Sequence, residues 1–328
     1  MDDTIIETNG LRKTFKSRQS KGSKTQIIEA VKGIDLSVQA GEIFGFLGPN
    51  GAGKSTTLRM LTTLIQPTAG QARVVGYDLL KEAGQVRRRI GYVSQAGGAD
   101  ETATARENLM LQARLYRMSR SEAIKRTNEL LITLELESFA DRLVKTYSGG
   151  QRRRLDVALG IVNHPRLLFL DEPTSGLDPQ SRAHLWDEVR RLRDQGTTVF
   201  LTTHYLEEAD VLADHLAIMD DGRIVAEGTP DDLKRLIAGD VITLGLETQD
   251  SHYQKIQNIL QRQSFVREMH RSDDEVQLYV ERGEENLAEI IRLVDGVGLR
   301  IRKVALARPS LDDVFLRKTG RSLRDSGL

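Results

Sequence analysis

The sequence contains no cysteine. Disulfides and thiolate metal sites are therefore excluded, and a reducing compartment is compatible with the composition. Net charge is also absent, with 47 Lys plus Arg against 47 Asp plus Glu, so the basic footprint of a nucleic-acid binder is missing. No apolar run comes near the roughly 20 residues needed to cross a bilayer. The opening Met1-Asp2-Asp3-Thr4 is acidic and has no apolar stretch of the signal-peptide kind behind it. These absences predict a cytosolic chain that meets a membrane only through a partner. Sustained heptads are lacking too, which argues against a long coiled coil. Five of the histidines, His164, His184, His215, His252 and His270, show no metal-ligand spacing and are expected to be surface or packing residues.

What is present suits two globular domains: 328 residues, 39% hydrophobic and 29% charged. Residues 4–11 and 27–38 read as strands, separated by a Ser- and Lys-rich stretch (16–24) expected to be a flexible surface loop. A strand over 42–47, a helix over 55–64 and a mostly helical region over 104–143 follow. Then come a buried strand (166–170), an amphipathic helix (180–195), a strand (198–202) and a helix (205–212). Alternating strands and helices predict an α/β layer architecture. Near Ile237 the pattern restarts as strand 241–247, helix 252–262, strands 265–270 and 275–281, helix 284–294 and strand 299–307. That βαββαβ order is ferredoxin-like. Ser310 and Asp313 then form a candidate capping box for a last helix over 311–319. The expected division is 1–236 and 237–328, the second part being an α+β regulatory or assembly module without a convergent catalytic pattern.

The chemistry concentrates in the first part. Gly48-Pro49-Asn50-Gly51-Ala52-Gly53-Lys54-Ser55 fits G-x-x-x-x-G-K-[ST] between a predicted strand and a predicted helix. Glycines let the backbone turn tightly and aim N–H groups at phosphate oxygens, with Thr56 next in the helix whose positive end faces the same anion. Lys54 is expected to reach the β- and γ-phosphates and the Ser55 hydroxyl to ligate Mg²⁺. Downstream, the apolar run Leu167-Leu168-Phe169-Leu170 leads into Asp171-Glu172 at a strand's carboxyl end, where open α/β sheets place ligands. Asp171 is expected to hold Mg²⁺ through its water shell, and Glu172 to polarise the attacking water as general base. His204 ends another apolar strand of the same sheet and is expected to contact the γ-phosphate and position water and base.

Tyr147-Ser148-Gly149-Gly150-Gln151-Arg152 is not a feature of generic P-loop enzymes. It resembles the signature motif of ABC ATPases. The rest of that family's set follows the same order: Gln95 after Ile90-Gly-Tyr-Val-Ser, Ser175-Gly-Leu-Asp178 after the acidic pair, and His204. Phe15 falls where the family has an aromatic that stacks on adenine. The resemblance covers about residues 4–230. It implies a P-loop NTPase of the ABC ATPase type with a helical signature subdomain, using ATP and Mg²⁺. Gln95 becomes a Mg²⁺ ligand and coupling element, and Ser148, Gly149, Gly150, Gln151 and Asp178 become nucleotide contacts. In the family the signature faces ATP held by a second nucleotide-binding domain, so a homodimer or a paired subunit is implied.

The segment Pro309 to Gly320 and Thr104-Ala-Arg-Glu-Asn-Leu109 look like daunorubicin-resistance-type exporter ATPases. That resemblance implies a separate ABC-2-like integral-membrane permease, export of a drug or lipid-like compound, and a peripheral position on the inner face of the cell membrane. Two alternatives remain. One is a soluble ABC ATPase acting on ribosomes or nucleic acid, against which stand the single nucleotide site and the lack of a coiled coil. The other is an ATP-binding regulator whose second domain senses a small molecule. The runs Arg87-Arg88-Arg89 and Arg152-Arg153-Arg154 read as solvated faces.

Overall fold

A computed structural model describes residues 4–17, 26–237, 239–246, 256–272 and 275–320. The chain divides into two compact units between Pro230 and Asp231.

The first unit begins with the long strands β1 (Thr4–Ser17) and β2 (Gln26–Gln39), which pair antiparallel. Lys16 and Ser17 therefore belong to a strand and not to the expected loop, whose residues 18–24 lie outside the described residues. Next come β3 (Ile43–Leu47), α1 (Lys54–Leu61), β4 (Ala69–Val74), β5 (Tyr77–Asp78), α2 (Ala83–Arg89) and β6 (Ile90–Val93). Helix α1 stops short of residue 64, and Thr63 just beyond it takes a left-handed φ of 64°. The helical region contains α3 (Ala105–Leu115), α4 (Arg120–Thr133) and α5 (Gly149–Gly160), joined through short 3-10 turns. After it run β7 (Leu167–Asp171), α6 (Pro179–Asp194), β8 (Thr198–Thr203), α7 (Leu206–Leu212), β9 (His215–Asp220) and β10 (Arg223–Gly228).

These strands build two sheets. One is antiparallel, in the order β2-β1-β4-β5. The other runs β10-β9-β3-β8-β7-β6, parallel except for the antiparallel edge pair β9/β10. Its central strands read IFGFL, LLFLD and TVFLTT, and every one of these residues is buried. Near-continuous apolar sequence is what a strand covered on both faces needs. Alternation then divides the side chains between two cores. Phe44, Phe46, Phe169 and Phe200 join the core shared with the antiparallel sheet, while Ile43, Leu168, Leu170, Val199 and Leu201 join the core under the helices. The Phe200 ring lies 5.5 Å from both Phe44 and Phe169.

A helix α8 (Pro230–Arg235) spans the division. The second unit then contains β11 (Asp240–Leu246), helix α9 (described over 256–260), β12 (Val266–Ser272), β13 (Glu275–Val280), α10 (Gly283–Gly296), β14 (Ile301–Ala307) and α11 (Leu311–Thr319). Its sheet order is β12-β13-β11-β14, with every neighbouring pair antiparallel. That is the ferredoxin-like arrangement. The ends expected at Glu247 and at residues 252–255 lie outside the described residues. Helix α11 opens with the anticipated capping box of Ser310 and Asp313. Its Leu311, Val314 and Phe315 are buried, and Tyr279 donates a 2.8 Å hydrogen bond to Asp313.

Candidate nucleotide site

Residues 48–53 connect β3 to α1, and the glycines at 48 and 53 are there for steric reasons. Gly53 caps α1 with φ 105°, and a Cβ added there would lie 2.4 Å from the Ala30 carbonyl. At Gly48 a Cβ would lie 2.2 Å from the Met219 carbonyl oxygen. Only glycine fits either position. Lys54 is buried, and its Nζ donates to the carbonyls of Gly48 (2.6 Å) and Pro49 (3.0 Å). Burial pulls its pKa down, opposed by the charges of Glu172 and Asp171. Asn50, Gly51, Gly53, Lys54, Ser55 and Thr56 line one wall of a cleft of about 560 Å³. Ala30, Gln95, Glu172, Ser175 and His204 complete it.

The acidic pair sits at the carboxyl end of β7, directly beside β8. Asp171 is buried, and its Oδ1 accepts from Thr202 Oγ1 (2.6 Å) and Ser55 Oγ (3.0 Å). An adjacent hydroxyl and carboxylate are hard oxygen donors, the kind that suits Mg²⁺. Glu172 turns out of the strand with φ 45°, a left-handed conformation that few non-glycine residues adopt. Its N–H donates to both the carbonyl and the Oγ1 of Thr202, each at 3.1 Å. This anchoring points the carboxylate into the cleft. Gln95 Nε2 donates to Glu172 Oε2 at 2.9 Å, Lys54 Nζ lies 3.9 Å from Oε1, and His204 Nδ1 lies 3.2 Å from Oε2 without hydrogen-bond alignment. The His204 imidazole, with help from Lys54, holds this carboxyl below the usual carboxylate range, against burial that pushes it up.

Other expected positions lie elsewhere. Ser148 caps α5 in a reciprocal box with Gln151: its Oγ accepts from Gln151 N–H at 3.3 Å, and its N–H donates to Gln151 Oε1 at 3.0 Å. Ser148, Gly150 and Gln151 line a separate hollow of about 100 Å³ with Leu177, Ser181 and His184. Gly149 sits beside Leu177. Asp178 caps α6 through Ser181 N–H (2.9 Å) and Ser181 Oγ (2.6 Å), and lines neither cleft. Phe15 is 41% exposed on β1, with Lys13 Nζ 5.3 Å from its ring, and also lies outside the cleft lining. The phosphate loop and the signature thus occupy different surfaces of one chain.

The second arginine run departs from expectation. Arg152 pairs with Glu101 and Arg154 with Glu135. Arg153, between them, is buried at 7% exposure, and each of its three side-chain nitrogens donates to a backbone carbonyl. Helical periodicity sends three consecutive side chains in three directions, so one of a surface run can face inward. Sequence reasoning also missed Thr202, whose hydroxyl steadies both acidic residues, and Ala30 of β2. The strand pairing of Asp171 with Thr202 is a non-local contact that no motif announces.

A glycine-rich loop beside an acidic pair, with Gln95 and His204 against the same carboxylate, is the arrangement expected of an ATP-binding cassette ATPase. Residues 31–175 match the ABC transporter family, and residues 228–319 match the C-terminal domain of DrrA1-3-like ATP-binding proteins. The chain belongs to the ABC transporter ATP-binding proteins, in the branch that carries this C-terminal domain. It is 46% identical over 325 residues to the daunorubicin/doxorubicin resistance ATP-binding protein DrrA of Streptomyces peucetius, covering 98% of this chain and 94% of that one. The doxorubicin resistance ATP-binding protein DrrA of Mycobacterium tuberculosis is 41% identical over 327 residues, covering 97% and 94%. Among solved structures, the dimeric post-hydrolysis state of the cassette MJ0796 with ADP and Pi superposes at TM-score 0.62 and 29% identity. It covers 69% of this chain and 98% of that cassette.

Proposed function

We propose that the chain is the ATP-hydrolysing subunit of an exporter, that it acts as a head-to-tail pair, and that it drives a separate membrane permease for an amphipathic drug or lipid-like compound. The observation that carries this reading is the separation of the two half-sites. One chain offers a cleft with loop, acids, Gln95 and His204, and on another surface the Ser148 helix end. Backbone donors at a helix start favour an anion, so each half lacks what a second copy supplies.

In the assembled site the loop N–H groups and Lys54 bind and orient the phosphates. Burial has already stripped much of the water from Lys54, so an anionic phosphate replaces weak carbonyl partners with strong ones. Ser55, Asp171 and Gln95 are suited to hold Mg²⁺, which when bound neutralises charge building on the transferring phosphoryl group. Glu172 is ionised at neutral pH and takes the proton of the attacking water, while the Gln95 hydrogen bond holds its carboxylate in place and the His204 ring lies 3.2 Å away. Residues 1–236 perform this work and 237–328 serve assembly or regulation. Among the described residues no helix is long and apolar enough to cross a membrane. A permease then carries the substrate path, and the chain sits on the cytoplasmic face. The relatives' names, with their daunorubicin and doxorubicin resistance, support the substrate class.

The test purifies a tagged Glu172→Gln chain from mildly solubilised cells with ATP. The expected outcome is a particle containing two copies of the chain and a polytopic membrane protein, with ATP bound and hydrolysis lowered by about 10²–10⁴-fold. Wild-type turnover would remove Glu172 as the base. Ribosomes or nucleic acid in place of a membrane protein would overturn the exporter reading.

A further inference from the structure

The buried Arg153 and its neighbour Asp156 lie one helical turn apart on α5, the helix that begins at Ser148. Arg153 Nε donates to the Pro173 carbonyl (2.7 Å), Nη1 to the Ser94 carbonyl (2.8 Å) and Nη2 to the Asp171 carbonyl (3.2 Å). Two of these acceptors bracket Glu172, and the third precedes Gln95. Asp156 Oδ1 accepts from the N–H groups of Gly98 (2.9 Å) and Ala99 (3.3 Å), on the other side of Gln95. Between them, Gly97 N–H donates to the Ser94 carbonyl (3.1 Å) and Ser94 Oγ to the Gly97 carbonyl (2.7 Å), closing the turn on itself. Gly97 has φ +79°, and a Cβ there would lie 2.8 Å from Asp156 Oδ2. The glutamine loop is therefore clasped at both ends by one helix, and the same helix grips the turn that bears the base.

A guanidinium is suited to this because its planar fork presents five donors, whereas an ammonium cannot span three divergent carbonyls. An inward arginine and aspartate are costly to bury unless each finds partners, and here the partners are the backbone groups of these two turns. We infer that Arg153 and Asp156 are positioning residues for ATP hydrolysis, fixing the Gln95 loop and the Glu172 turn to the signature helix. This rests on the ATPase reading of the cleft.

The test compares wild type, Arg153→Lys, Asp156→Ala, Gln95→Ala, Glu172→Gln and the Gln95→Ala/Arg153→Lys double variant as full chains. Nucleotide affinity, kcat, KM and Tm are measured together. Arg153→Lys is expected to lower kcat about ten- to a hundredfold, as misplacement of a reacting group does, while nucleotide affinity stays within about threefold and Tm falls modestly as buried carbonyls lose donors. In the Gln95→Ala background the lysine change is expected to lose most of its effect, since residues that act through one another are not additive. If Arg153→Lys fails to fold, Asp156→Ala carries the same readouts. Wild-type kcat in the folded variants, or fully additive losses, would overturn the proposal. Should Glu172→Gln also turn over normally, the fault lies with the ATPase reading itself and not with the clasp.

Discussion

Glu172 shows how a single residue can be strained and useful at once. A left-handed φ at a non-glycine residue costs on the order of 1–3 kcal/mol, and the two hydrogen bonds to Thr202 offset that cost. The conformation turns the carboxylate away from the strand, where it meets Gln95, His204 and Lys54. Because its pKa is depressed, the carboxylate stays ionised as pH falls from neutrality, and with Glu172 as the proposed base activity is expected to be lost only as pH passes below the folded value. Its contribution to stability has the same sign: present above the unfolded pKa of about 4.3 and lost as pH drops through the lower folded value. His204 is the first cause of the depression. His204→Ala is therefore expected to move the acidic limb of the kcat/KM profile to higher pH. An unmoved limb in that variant would show that the limb belongs to another group.

At the scale of elements, β3, β7 and β8 place their carboxyl ends side by side, and the proposed site residues are the first ones beyond the apolar runs. Leu47 leads to the phosphate loop, Leu170 to Asp171 and Glu172, and Thr203 to His204. The parallel register Phe46↔Thr202 and Asp171↔Thr202 sets the spacing among the three. Here the loop tolerates no side chain at Gly53. Gly53→Ala combines a φ of 105° with a 2.4 Å approach to the Ala30 carbonyl. It is expected to weaken nucleotide binding at least about tenfold through strain of roughly 1–3 kcal/mol or more. A titration with a fluorescent ATP analogue reads this directly, and unchanged affinity would place the phosphates elsewhere. The helical elements behave differently: α5 starts on a motif and, one to two turns in, grips the two turns through contacts that no motif encodes.

At the scale of the whole molecule, the second unit is stabilised by its own means. Among the described residues it has a core of its own, with Ile242, Leu244, Leu278, Ile290 and their neighbours. Helix α11 is tied to β13 by the buried Tyr279–Asp313 hydrogen bond, and burial, with the Asp313 charge beside it, pushes the tyrosine pKa well up. Tyr279→Phe leaves Asp313 short of a donor and is expected to destabilise this unit by about 1.5–3 kcal/mol, read as a lower midpoint of its unfolding transition. ATP binding is expected to be unaffected.

Much of the protein was determined by sequence alone. The phosphate loop, the acidic pair, the signature and the βαββαβ pattern are local: each depends on spacing within a few residues, or on hydrophobic periodicity within one element. What the tertiary structure decided is non-local. It set the register that puts Thr202 against Asp171, the edge sheet formed by β1, β2, β4 and β5, and the inward turn of Arg153 from an apparently solvated run. It also separated Ser148 and Asp178 from the phosphate cleft. The physical reason is the same in each case. A motif fixes the donors and acceptors that a segment offers, but their partners are chosen only when distant strands and helices pack together.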